Sequence, residues 1–143
     1  MPRVHQRVAY AKGGELVSSL GARVLLAPPD RHLIVRGGRL ELTDEPERHS
    51  CKPSVDVLFE SIAREQGPTT AACLLTGMGR DGALGLLALR RSGAATIAQD
   101  EATSIIYGMP REAAQLGAAE RILPLGEIGP ALGTLARAKG RSP

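Results

Sequence analysis

Apolar residues in this chain fall into short runs separated by glycine, proline and polar clusters, and the spacing inside each run changes from strand-like to helix-like and back. Val24 to Ala27 is a short apolar run halted by Pro28-Pro29, which predicts a strand. Leu33–Val35 and Arg39–Leu42 flank Gly37-Gly38; two glycines between such runs predict a hairpin, because both central residues of a type I′ turn need positive φ. Thr43 to Lys52 is polar and reads as a loop. Ser54 then stands where it can cap a helix whose apolar face is Val55, Leu58, Phe59 and Ile62, ending near Gly67-Pro68.

Beyond that point the alternation repeats. Ala71–Leu75 predicts a buried strand, residues 82–92 a helix closed by a left-handed Gly93, and Ala95–Ala98 another strand. Pro110 suits the first turn of a helix reaching Leu116 and ended by Gly117. Arg121–Leu123 and Ile128–Ala138 predict a last strand and a last helix. Strands alternating with helices imply an α/β fold: a mostly parallel, doubly wound sheet with helices on both faces, here with an added β-hairpin. No internal repeat or low-complexity linker divides residues 1–143, so the expectation is a single domain.

Composition narrows the chemistry. Hydrophobic residues make up 43% and charged ones 23% of the 143 positions, ordinary for a soluble globular chain with enough length for a real core. Aromatics are confined to Tyr10, Phe59 and Tyr107, so the core must be aliphatic. The net charge is only +3, and part of it sits in Arg137, Lys139 and Arg141, a tail expected to fray. Without a basic stripe or stacking aromatics, nucleic-acid binding is not expected. Cys51 and Cys73 lack metal-ligand spacing and read as reduced thiols in a cytoplasmic protein. No run approaches the ~20 apolar residues of a membrane span, so membrane insertion is not expected, and the first residues lack a signal-peptide core.

The most informative segment is Leu74 to Gly85, LLTGMGRDGALG, a glycine-rich bend after a strand with one carboxylate inside it. Two chemistries are open there. Gly77, Gly79 and Gly82 match G-x-G-x-x-G between a strand and a helix, with Asp100 following at roughly the 20-residue interval of a ribose-binding acid. Against a dinucleotide, Asp81 sits just before the helix, where an anion would compete with a pyrophosphate. Alternatively the bend delivers one acid and one backbone amide to an active site, or Asp81 merely caps its own helix.

Longer phrases favour the second chemistry. LLTGMGRDGALG, then TIAQDEATSIIYGMP and REAAQLGAAERILPL, together with APPDRHLIV at 27–35 and KPSVDVLFESIA at 52–63, resemble the CheB-type chemotaxis methylesterases in the same order, over roughly residues 20 to 128. The resemblance implies a doubly wound serine esterase without a cofactor or metal. Such enzymes remove methyl groups from glutamate esters on the cytoplasmic helices of chemoreceptors and deamidate receptor glutamines. Carried over by position, it makes Asp81 the acid of a Ser-His-Asp triad and Met78 the donor of a backbone N–H to the oxyanion.

The departures are also large. The family's serine and histidine lie upstream of anything aligned here, and no Gly-x-Ser-x-Gly elbow is present. Ser18, Ser19, Ser50, Ser54, Ser61, Ser92, Ser104 and Ser142 all read as caps, loops or helix surface. His5 lies in the unaligned start, His49 in a polar loop, and His32 after a turn. The expectation is an N-terminally truncated methylesterase domain without a receiver domain, from a shortened gene, a misplaced start codon or a split enzyme whose serine and histidine come from a separate chain. The alternative is a catalytically silent receptor-binding or adaptor remnant; less favoured is a dinucleotide-binding domain using Gly77, Gly79 and Gly82. A bared sheet edge further predicts poor stability or self-association.

Overall fold

A computed structural model describes residues 8–139. Thirteen short elements become seven strands, four helices and two single 3₁₀ turns. The strands are β1 (Val8–Tyr10), β2 (Val24–Leu26), β3 (His32–Arg36), β4 (Arg39–Thr43), β5 (Ala71–Leu74), β6 (Ala95–Gln99) and β7 (Arg121–Leu123). The helices are α1 (Val55–Glu65), α2 (Ala83–Arg91), α3 (Met109–Gln115) and α4 (Leu125–Lys139). The predicted elements are all present. β1 and the turn at Val17–Ser19 were not foreseen, since three residues carry too little periodicity to signal either. The helix that was expected to start at Ile128 begins at Leu125 and continues to Lys139, so Arg137 and Lys139 belong to it rather than to a frayed tail. Arg141 and His5 lie outside the described residues.

The strands form three sheets, not one. β5, β6 and β7 make a parallel sheet with β6 in the middle, β1 and β2 a parallel pair, and β3 and β4 the hairpin. Gly37 and Gly38 take φ of 60° and 72°, the left-handed pair the turn requires. β6 is covered on both faces. Ala72, Leu74 and Ala98 join Leu86 and Leu89 of α2 and Ala113 of α3 in one core, while Ile97, turned the other way, is also fully buried and α4 packs on β5 and β6. This is the α/β arrangement with helices on both faces.

Helix α1 links the two halves of the molecule. Val55, Phe59 and Ile62 pack on the sheet core, and Leu58 and Ile62 also meet the hairpin core of Leu33, Val35 and Leu40. Ser61, buried on α1, accepts from the Val35 N–H at 2.9 Å and donates to Leu58 O. On its other flank α1 approaches α2 at Gly85, where a Cβ would stand 2.7 Å from Phe59 Cβ and 3.1 Å from Asp56 Cα.

Candidate active site

The site is assembled where β5 ends. Past Leu74 the chain bends through Gly77-Met78-Gly79-Arg80-Asp81 before α2 begins. Gly77 is clamped against the segment before α3: its N–H donates to Ile106 O at 3.0 Å and its carbonyl accepts from the Met109 N–H at 2.8 Å. The clamp requires glycine opposite, because a Cβ on Gly108 would stand 2.6 Å from Gly77 O and 3.2 Å from Met78 Cα. Beneath the bend, buried Gln99 accepts from the Thr76 N–H at 2.7 Å and donates to Thr103 O, and the Thr76 hydroxyl and Ile106 backbone exchange two more bonds. Met78 is thereby held out from the surface, 79% exposed, and among the described residues its N–H has no acceptor.

Asp81 does not cap its own helix, as one expectation held. Gly82 is the N-cap of α2 and offers no side chain. The Asp81 carboxylate, 6% exposed, reaches the start of α1 instead. Oδ1 accepts from Ser54 Oγ at 2.7 Å and the Asp56 N–H at 3.2 Å, and Oδ2 from the Val55 N–H at 2.6 Å. First-turn amides of a helix lack intrahelical acceptors and carry the positive end of its dipole, so a carboxylate is stabilised there. Two oxygens offer about four acceptor positions; three are taken, and the second on Oδ2 remains. Asp81, Arg80, Met78 and Gly79 line an open cleft of about 400 Å³ whose other wall is His49, Ser50 and Cys51.

That second wall was set aside in the sequence as loop. Arg48 pins it to α1 through a bidentate ion pair with Glu60, a hydrogen bond that also holds the guanidinium pKa above its ordinary value. His49 and Ser50 are left-handed, with φ of 52° and 62°, uncommon for residues bearing a Cβ. His49 Nε2 lies 3.1 Å from Oδ2 of the fully buried Asp56, but the angle is too poor for a hydrogen bond. Burial, followed by the charges of Asp81, Glu47 and Asp56, pushes the Cys51 thiol up, which makes it a poor nucleophile at neutral pH.

The described residues contain a serine, a histidine and an aspartate in sequence-distant contact, yet wired differently from a triad. His32 Nδ1 faces the backbone N–H of Ser54, not its hydroxyl, and that hydroxyl donates to Asp81. Ser54 is 2% exposed. Among the described residues no serine hydroxyl or cysteine thiol is hydrogen-bonded to an imidazole. Asp100, the would-be ribose acid, is engaged by the Thr103 N–H at 3.0 Å and by its hydroxyl. No group of metal-ligating side chains occurs among these residues, and no helix is long and apolar enough to cross a membrane.

A family model described as CheB methylesterase matches residues 3–132. The chain belongs to the CheB methylesterase family. The match begins earlier than the resemblance had been drawn, taking in β1 and the turn after it. Among curated relatives, this CheB-family chain is 49% identical over 134 residues to protein-glutamate methylesterase/protein-glutamine glutaminase 4 of Anaeromyxobacter dehalogenans, covering 91% of the chain and 37% of the relative. It is 58% identical over 114 residues to a protein of the same name, numbered 2, from Burkholderia orbicola, covering 79% and 34%. The crystal structure of the Thermotoga maritima CheB methylesterase catalytic domain superposes with a TM-score of 0.76 at 26% identity, covering 92% of this chain and 68% of that one. The chain thus spans about a third of the length of these curated relatives.

Proposed function

We propose that this chain is the C-terminal part of a protein-glutamate methylesterase and protein-glutamine glutaminase catalytic domain, in which Asp81 is the triad acid and the Met78 N–H an oxyanion donor. The observation that carries this reading is the Asp81 carboxylate: buried, oriented by three donors, and with one acceptor position left beside a cleft that also holds an unengaged backbone amide. Serine and histidine come from a separate segment. The serine hydroxyl attacks the ester carbonyl of a receptor glutamate while the imidazole takes its proton. Asp81 accepts from the other ring nitrogen, fixing the tautomer and stabilising the imidazolium. The oxyanion forms against the Met78 amide, the imidazolium protonates departing methanol, and water attacks the acyl-enzyme by the same steps reversed. On a glutamine the leaving group is ammonia. The substrates are methylated or amidated cytoplasmic helices of chemoreceptors, and the reaction takes place in the cytoplasm without a cofactor.

One observation favours a second reading. Because no base–nucleophile pair exists among the described residues, the polypeptide on its own would be a silent receptor-binding or adaptor module. Methanol release from methylated receptor, measured with this chain alone and with a relative's N-terminal catalytic segment added, separates the two. Turnover only in the mixture supports the split-enzyme reading; receptor binding with no release in either sample supports the silent module. The dinucleotide reading is less favoured: Oδ1 of Asp100 already accepts from Thr103, and the family match supports the esterase reading of the bend.

A further inference from the structure

We propose that His32 and Ser54 are positioning residues for Asp81, forming a buried relay that fixes the rotation of its carboxylate. The relay's catalytic meaning rests on Asp81 being the triad acid; its geometry does not. His32, the first residue of β3, is fully buried. Its Nδ1 lies 3.1 Å from the Ser54 backbone N, which can only donate, and its Nε2 lies 2.9 Å from Pro46 O, which can only accept. Those two partners select one form of the ring: neutral, with the proton on Nε2. A second proton would bring Nδ1–H against the Ser54 N–H.

The imidazole therefore ties Pro46 to Ser54 across the loop that carries His49, Ser50 and Cys51 of the cleft wall. It also fixes the backbone at the N-cap of α1. With that backbone set, the Ser54 hydroxyl accepts from the Val57 N–H at 3.3 Å and commits its single proton to Asp81 Oδ1 at 2.7 Å. Oδ1 is further engaged by Asp56 N–H and Oδ2 by Val55 N–H. Remove the hydroxyl bond and Oδ1 keeps only the longer bond from the Asp56 N–H, which loosens the carboxylate about its χ2 torsion, broad for aspartate. A triad acid that rotates presents its free acceptor position in the wrong direction, and misplacement of this order is costly to catalysis.

The test uses the full chain, labelled with ¹⁵N, and needs no turnover. Ring nitrogen spectra are expected to show His32 as the Nε2–H tautomer. Amide exchange of Val55 and Asp56 is then read as a ratio to the Ile97 and Ala98 amides of β6 in the same sample. Ser54→Ala, and His32→Gln, which keeps a donor near the Nε2 position but no acceptor near Nδ1, are expected to speed that exchange about tenfold or more. Ser54→Thr, which keeps the hydroxyl, and His32→Asn, whose Oδ1 stands where Nδ1 stood, are expected to stay within about threefold. Where the ring variants do not fold, the serine pair decides. Equal effects of His32→Gln and His32→Asn, no effect of Ser54→Ala, or a ring protonated on Nδ1 would overturn the relay. If the exchange pattern holds while Asp81→Asn retains turnover in the reconstituted enzyme, the relay stands and the catalytic reading of Asp81 falls.

Discussion

At Asp81 the carboxylate that faces the cleft also receives a hydroxyl and two amides from the start of α1, so a substitution there acts on stability as well as on chemistry. Asp81→Ala leaves those donors without an acceptor in a nearly closed site, and is expected to lower unfolding stability by about 2–4 kcal/mol, read from urea denaturation. Gly108→Ala separates the two effects from the other side. Its methyl would stand 2.6 Å from Gly77 O, so the bend must shift and carry the Met78 amide with it. The expected outcome is a loss of about 10²-fold in kcat for the reconstituted enzyme, the size seen for removal of one oxyanion donor, at little change in receptor binding. The bend that carries Asp81 and Met78 was legible in the sequence as a glycine-rich turn after a strand, while the roles proposed for the two residues came from the family resemblance. The Asp81 contacts with Ser54, Val55 and Asp56 were not, since they join segments far apart in the chain, and nothing in a polar loop marks His49 as a cleft wall.

Among the elements, α1 is where the hairpin, the sheet core and the site meet, and its two neighbours give separate tests. Glu65, in its last turn, accepts from the N–H groups of Gly37 and Gly38 at 2.9 and 3.1 Å. These bonds, with the charges of Arg64 and Arg36 adding less, hold its carboxyl below the usual range. A lowered folded-state pKa means stabilisation present above the unfolded value, about 4.3 for glutamate, and lost as pH falls through the folded one. Glu65→Gln is expected to flatten the acid limb of a stability-versus-pH curve by lowering stability above that window, pH 7 included, and to change little below it. Gly85→Ala places a methyl 2.7 Å from Phe59 Cβ and against the α1 backbone; overpacking of this kind is expected to cost about 2 kcal/mol, measured as a lower urea midpoint at unchanged slope. The elements themselves were readable from apolar spacing and from turn glycines such as Gly37-Gly38 and Gly93. What periodicity left out was the way the strands divide: β2 and β5 are both short parallel strands, and only their pairing shows that they belong to different sheets.

For the whole molecule, that division has a consequence. β5 is paired on one side with β6, and β2 on one side with β1, so among the described residues each leaves a row of backbone groups unpaired. Exposed Leu75, Met78 and Ile105 lie on the chain just past β5 and in the segment facing it. Unpaired parallel edges beside apolar side chains invite association, and the isolated chain is expected to sediment as dimers or larger species at micromolar concentration; a monomer with a sharp, high-temperature melt would contradict this. The solved catalytic domain has about a third of its length without a counterpart here. The most direct measurement is kcat of the reconstituted enzyme for methanol release, with wild-type chain and with Asp81→Asn. A fall of about 10³–10⁴-fold at unchanged receptor KM is expected for a carboxylate that orients the imidazole; a fall of less than about tenfold would mean that Asp81 only caps α1 and is not the triad acid.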